Sequence, residues 1–152
     1  MSKFLINVDH IPTVTLYYIS ANEFESKLKA TWNWTSIDIE DTGYFYPKWE
    51  DWDKIFQYVQ KSLPTYVPNK FDCDNFAYYV SVMVSSKFGC NTCNVVEGYV
   101  DFRDGRGFQR HKWNVFFDGG NFYQLESQKK TPPNEIADLD DPYYIPDEII
   151  AF

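Results

Sequence analysis

Residues 14–19 alternate apolar and polar positions with the period of a strand, and Ser20-Ala-Asn-Glu23 then has the form of a capping box that opens a helix. Phe24, Leu28 and Trp32 recur at the spacing of one helical face, so the chain begins as strand and helix. From 35 to 46 the polarity is mixed and Gly43 interrupts it, which predicts a loop with at most one short strand and no chemistry. Pro47 suits a first helical position, where its missing N–H costs nothing, and Trp49, Trp52, Ile55, Phe56, Val59 and Leu63 keep helical spacing until Pro64. A helix is predicted over 48–63, with Trp49, Trp52 and Phe56 as core packing.

A connector with Pro64 and Pro68 follows, and Asp72 then fits the N-cap of a second helix. Cys73, Phe76, Ala77, Val80, Met83 and Val84 form its apolar stripe, and Gly89 ends it. After 94–102 and a glycine-bearing loop over 104–110 come two strand-like runs, 111–117 and 122–126. The link Asp118-Gly-Gly-Asn121 predicts that they form a hairpin. Beyond Lys130 the chain is acidic and carries prolines, and only short elements are expected there.

Composition narrows the function. Aromatic residues make up 20% of the 152, too many for a disordered chain, so a single packed domain over 1–152 is expected, with its working core at 48–130. A formal charge of -8 repels phosphate backbones and argues against a nucleic-acid partner. No run approaches the roughly 18 apolar residues of a membrane span, and the run at 1–9 is too short for a signal peptide. The expectation is a soluble intracellular protein. Its three cysteines make no disulfide framework; Cys90 and Cys93 read as a loop disulfide or two free thiols, and no second pair completes a zinc site with them.

Cys73 is left spare, at the first turn of a helix, where free N–H groups and the macrodipole favour a thiolate. Asp72 and Asp74 oppose that by like charge, so the thiolate needs an imidazolium beside it. Of the two histidines, His111 opens a strand in which His111, Trp113, Val115 and Phe117 share a face. A turn at 118–121 pairs residues whose numbers sum to 239, which sets Trp113 opposite Glu126 and His111 opposite Gln128. Glu126 then reaches His111 diagonally and can orient the imidazole and hold its charge, provided that no bulge shifts the register.

The run Phe71-Asp-Cys-Asp-Asn-Phe-Ala77, then Val96-Glu-Gly-Tyr99, His111-Lys-Trp-Asn-Val115 and Tyr123-Gln-Leu-Glu126, resembles the core of the papain-like and transglutaminase-like cysteine enzymes. Within that superfamily it looks closest to the calcium-dependent cysteine-peptidase domain of mushroom agglutinins of the Marasmius type, over residues 66–128. The resemblance implies an α+β fold with helices packed on an antiparallel sheet. It also implies Cys73 as nucleophile, His111 as general base and later acid, and Glu126 as the orienting group, acting on a protein or peptide. Asn75 departs from the agglutinin motif, and Lys112 stands where transglutaminase-like enzymes often have alanine and narrows the approach to the site. There is no glutamine shortly before Cys73 to face an oxyanion. That role falls to the Cys73 N–H with Tyr66 or Asn69, supported by Trp113 and Gln128. Asp72, Asp74 and Gln128 are the candidate calcium ligands, capping being the alternative for Asp72, and a homodimer follows by resemblance alone. A transglutaminase or amidase would use the same triad, and a noncatalytic module keeping the fold is the alternative of another class.

Overall fold

The computed structural model describes residues 10–128 and 136–152; the N-terminal run at 1–9 lies outside the described residues. The first strand and helix form as their pattern requires. Strand β1 (Leu16–Ser20) ends on Ser20, whose hydroxyl accepts the Glu23 N–H at 3.3 Å, and helix α1 (Ala21–Thr31) buries Phe24 and Leu28. Trp32 is the C-cap rather than a member of the helical face, and its indole N–H donates to the Pro146 carbonyl at 2.8 Å.

The segment read as a loop contains two strands, β2 (Ser36–Ile39) and β3 (Gly43–Pro47). Both are too short to show a period of two clearly, and each is completed by a distant partner: β3 pairs antiparallel with β1, and β2 pairs parallel with the last strand. Pro47 therefore ends a strand instead of opening a helix. Helix α2 (Trp49–Gln60) starts after it, buries Trp52, Ile55, Phe56 and Val59, and leaves Trp49 43% exposed against Tyr123.

Helix α3 (Cys73–Phe88) begins as expected, with Asp72 as N-cap in a capping box with Asn75. Gly89 ends it at φ 69°, a left-handed turn that glycine adopts without a Cβ clash. The remaining strands are β4 (Cys93–Asp101), β5 (Phe108–Phe117), β6 (Phe122–Leu125), β7 (Ile136–Asp138) and β8 (Tyr144–Ala151). They form one sheet with β2, in the order β2-β8-β4-β5-β6-β7.

The fold is α+β, with one correction: the sheet is mixed, because β2 runs parallel to β8 while the other pairs are antiparallel. Strand β8 is eight residues long and lies inside the sheet, where only short elements were expected. Pro146 hides it from a pattern reading. The proline sits opposite Gly98, at an irregularity in the β4–β8 register, a place where a missing N–H is tolerated.

Successive residues of β5 feed opposite faces of this sheet. Trp113, Val115 and Phe117 pack with Phe24, Leu28 and Tyr44 on the face covered by α1 and the β1–β3 pair, while Phe116 packs with Trp52, Phe56, Phe76 and Val80 under α2 and α3. The hairpin register is the one deduced from the sequence: Phe117 pairs with Phe122 and Asn114 with Leu125, and Asp118 Oδ1 ties the turn by accepting the N–H groups of Gly120 and Asn121, each at 2.8 Å.

Gly98 pairs with His111 across β4 and β5. A Cβ there would run into the Ile145 carbonyl and come within 2.8 Å of the Trp113 indole. Gly98→Ala is therefore expected to cost about 1–3 kcal/mol, seen as a lower midpoint in urea unfolding, and to disturb the ring that packs on His111. An unchanged midpoint would contradict this packing.

Candidate active site

Two elements deliver the chemistry. The start of α3 carries Cys73, half-buried, and β5 carries His111, 4% exposed, on the face it shares with Trp113. Glu126, one residue past β6 and 1% exposed, continues the hairpin register onto that face. Its Oε2 lies 2.9 Å from His111 Nε2, as the diagonal placement requires. With Nε2 committed to Glu126, the nitrogen free for the thiol is Nδ1.

The electrostatics of the pair agree with its geometry. A side-chain hydrogen bond with His111 holds the Cys73 thiol below its ordinary pKa; burial opposes this, the Lys112 backbone N–H assists, and the charge of Asp72 opposes. Burial acts to lower the pKa of His111, yet hydrogen bonds with Cys73 and Glu126 outweigh it and raise the ring to about 9. Both shifts favour thiolate and imidazolium together. Cys90 and Cys93 are free thiols in the core, the first pushed up by burial to about 11 and the second also raised.

The imidazole is held from several sides. Trp113 stacks on it with centroids 6.1 Å apart and planes 15° apart, and Phe102 meets it edge-on at 5.0 Å. Trp113 is itself fixed: its indole N–H donates to Gln124 Oε1 at 2.9 Å, and the Gln124 amide donates to the Asp138 carbonyl at 3.0 Å. Gln128 completes the shell, its backbone N–H reaching Glu126 Oε1 and its amide nitrogen standing 3.3 Å from His111 Nε2. When Nε2 carries a proton for Glu126, turning that amide over presents its oxygen instead, without moving other atoms.

Asn114 couples the two elements. Its amide donates to the Ala77 carbonyl at 3.0 Å and the Ser81 hydroxyl at 2.9 Å, both on α3, and its oxygen accepts from the Ser127 hydroxyl. The strand bearing His111 is thereby locked against the helix bearing Cys73. Asn114, Gln124 and Phe102 were missed as site residues. For the first two the signal was present, since a buried amide in an apolar strand needs partners on a neighbouring element; for Phe102 it was not.

The supporting residues divide. Tyr66 lines a cavity of about 550 Å³ together with Phe102, Asp104, Arg106, Gln109, Arg110, His111, Glu126 and Gln128. Asn69 is not on its wall: it adopts φ 58° in the connector, with its N–H at the Asp72 carboxylate. The Lys112 side chain turns to Glu97 at 3.1 Å and over the Tyr78 ring, on the face away from His111, so only its backbone N–H serves the site.

Asp72 and Asp74 hydrogen-bond each other, which raises the first and lowers the second. With Cys73 they bring three ligand atoms within 4.8 Å of one another, whereas Gln128 lies against the His111 ring. Calcium takes roughly six to eight oxygens. Two carboxylates and a soft thiol are a poor calcium set on their own.

No protein-family model matches the chain, and no curated protein matches it. Solved structures do. One of them, described as "PSL1a-E64 complex", superposes with a TM-score of 0.64 at 18% identity, over 88% of this chain and 51% of that one. The chain thus spans about half the length of that structure. The likeness is one of fold, an α+β architecture of helices packed on a mixed sheet. Among the described residues, no helix is long and apolar enough to cross a membrane.

Proposed function

We propose that the chain is a cysteine peptidase that cleaves peptide bonds through a thioester on Cys73, with His111 as proton carrier and Glu126 as the group that orients and charges it. The observation that carries this reading is the buried His111, bonded to Glu126 at 2.9 Å and electrostatically coupled to a half-buried cysteine at a helix start. E64 is a cysteine-protease inhibitor, and its presence in the complex of similar fold supports the same reading. So does the likeness of the sequence to the mushroom-agglutinin peptidase domain.

The Cys73 thiolate attacks the scissile carbonyl, and the oxyanion faces the Cys73 backbone N–H, with Tyr66 as the side chain in reach of the site. The C–S bond forms, the C–N bond breaks, and the imidazolium proton goes to the departing amine. Water then gives a proton to the neutral His111 and its oxygen to the thioester carbon; the C–S bond breaks and the thiolate–imidazolium pair returns. An amine in place of water would make the same site a transglutaminase, and water acting on a side-chain or small-molecule amide would make it an amidase.

Digestion of casein compared with incorporation of an amine into a glutamine donor, each with calcium and with a chelator, separates these outcomes. The expected result is casein digestion that E64 inhibits, that Cys73→Ala lacks and that the chelator leaves unchanged. Amine incorporation without digestion would make the chain a transferase, and neither activity would end the enzyme reading.

A further inference from the structure

We infer that the cavity beside His111 receives the segment that follows the scissile bond, and that Arg106 reads a carboxylate there, so that acidic residues are preferred on the leaving-group side. The inference rests on Cys73 being the nucleophile. In acyl transfer the acyl carbon is bonded to the nucleophile's sulfur while the imidazole proton goes to the departing nitrogen. Whatever follows that nitrogen lies on the imidazole side. The cavity has His111, Glu126 and Gln128 in its wall but not Cys73, and its volume of about 550 Å³ suits a side chain with its flanking backbone.

The wall's charges decide what fits. Glu126 is taken by His111 at 2.9 Å, and Arg110 by Glu97 at 2.7 Å and Asp147 at 3.2 Å. Arg106 differs. Asp104 Oδ2 accepts its Nε and Nη2 at 3.0 and 2.6 Å, and Asp104 Oδ1 accepts its backbone N–H at 3.1 Å. Its Nη1 has no partner among the described residues, on a side chain 65% exposed. Gln109 holds the loop beneath it by donating to the Arg106 carbonyl at 3.1 Å. A guanidinium oriented along one edge by a carboxylate of its own loop presents its other edge, already aligned, to a second carboxylate. Tyr66 and Phe102 supply the apolar flank.

The test reads the leaving-group site from its reverse direction, as an acceptor site. p-Nitrophenyl acetate acylates Cys73: the C–S bond forms, the ester C–O bond breaks, and the imidazolium proton leaves with the p-nitrophenol, so that His111 is neutral. A dipeptide amine then competes with water; its nitrogen bonds the acetyl carbon, the C–S bond breaks, and its proton passes to neutral His111. Aspartyl-alaninamide and asparaginyl-alaninamide, or their glutamyl and glutaminyl counterparts, differ only in the carboxylate, and the acetylated products are counted by mass spectrometry.

The expected capture ratio of acid to amide is about tenfold, equivalent to about 1.4 kcal/mol, falling to near one in Arg106→Gln. A ratio near one in the unmodified chain, or one that survives Arg106→Gln, overturns the inference while Cys73 still acylates. Failure to acylate, or equal acylation in Cys73→Ala, removes the nucleophile reading and the inference with it.

Discussion

In His111→Ala, Cys73 is expected to behave as an ordinary thiol: alkylation rises only toward alkaline pH, and peptide hydrolysis at pH 7 falls by about 10³- to 10⁴-fold. The order of influences on Cys73 sets this outcome. The hydrogen bond with His111 is the largest of them, burial and the charge of Asp72 both oppose it, and without the imidazole the Lys112 N–H and the helix start are left to favour the thiolate. The helix start alone does not outweigh two neighbouring aspartates. Kinetics of a chromogenic peptide and the pH dependence of alkylation, measured on the same variant, check both parts. Retention of the wild-type alkylation profile would show that the helix, not His111, ionises Cys73.

Glu126→Gln is the second large effect, and its direction comes from the balance at His111. Burial is the strongest influence on that ring and acts to lower its pKa; the hydrogen bonds with Cys73 and Glu126 reverse it to about 9. An amide at position 126 keeps the shape but removes the charge, so the His111 pKa is expected to fall from about 9 toward or below the ordinary 6.5. The imidazolium is then lost at neutral pH, the Cys73 pKa rises in response, and the alkaline limb of activity moves to lower pH. Hydrolysis at pH 7 should drop by about 10²- to 10⁴-fold. Imidazole titration by NMR reads the pKa directly; an unmoved pKa would mean that Cys73 alone sustains the ring.

Much of this site was legible because it depends on two local patterns and one count. The Asp72 cap and the stripe from Cys73 to Val84 place the thiol at a helix start, and the turn at 118–121 fixes a register that continues past Leu125 to bring Glu126 under His111. Neither step needs tertiary information. Strand β8 was not legible because its Pro146 and acidic pair break the alternation, and the Gly98 irregularity that accommodates them belongs to another strand. Strand β2 owes its existence to that unseen partner, so the parallel edge was lost with it. Phe102 and Arg106 reach the cavity only through the path of the loop between β4 and β5.

The thiolate–imidazolium pair is expected above the lowered pKa of Cys73 and below the His111 pKa of about 9. Iodoacetamide alkylation followed residue by residue by mass spectrometry from pH 5 to 10 tests it most directly. Cys73 is expected to be labelled stoichiometrically from mildly acid pH, while Cys90 and Cys93, whose pKa values burial raises, stay unreacted in the folded chain. Three cysteines reacting alike, with the alkaline rise of free thiols, would contradict it.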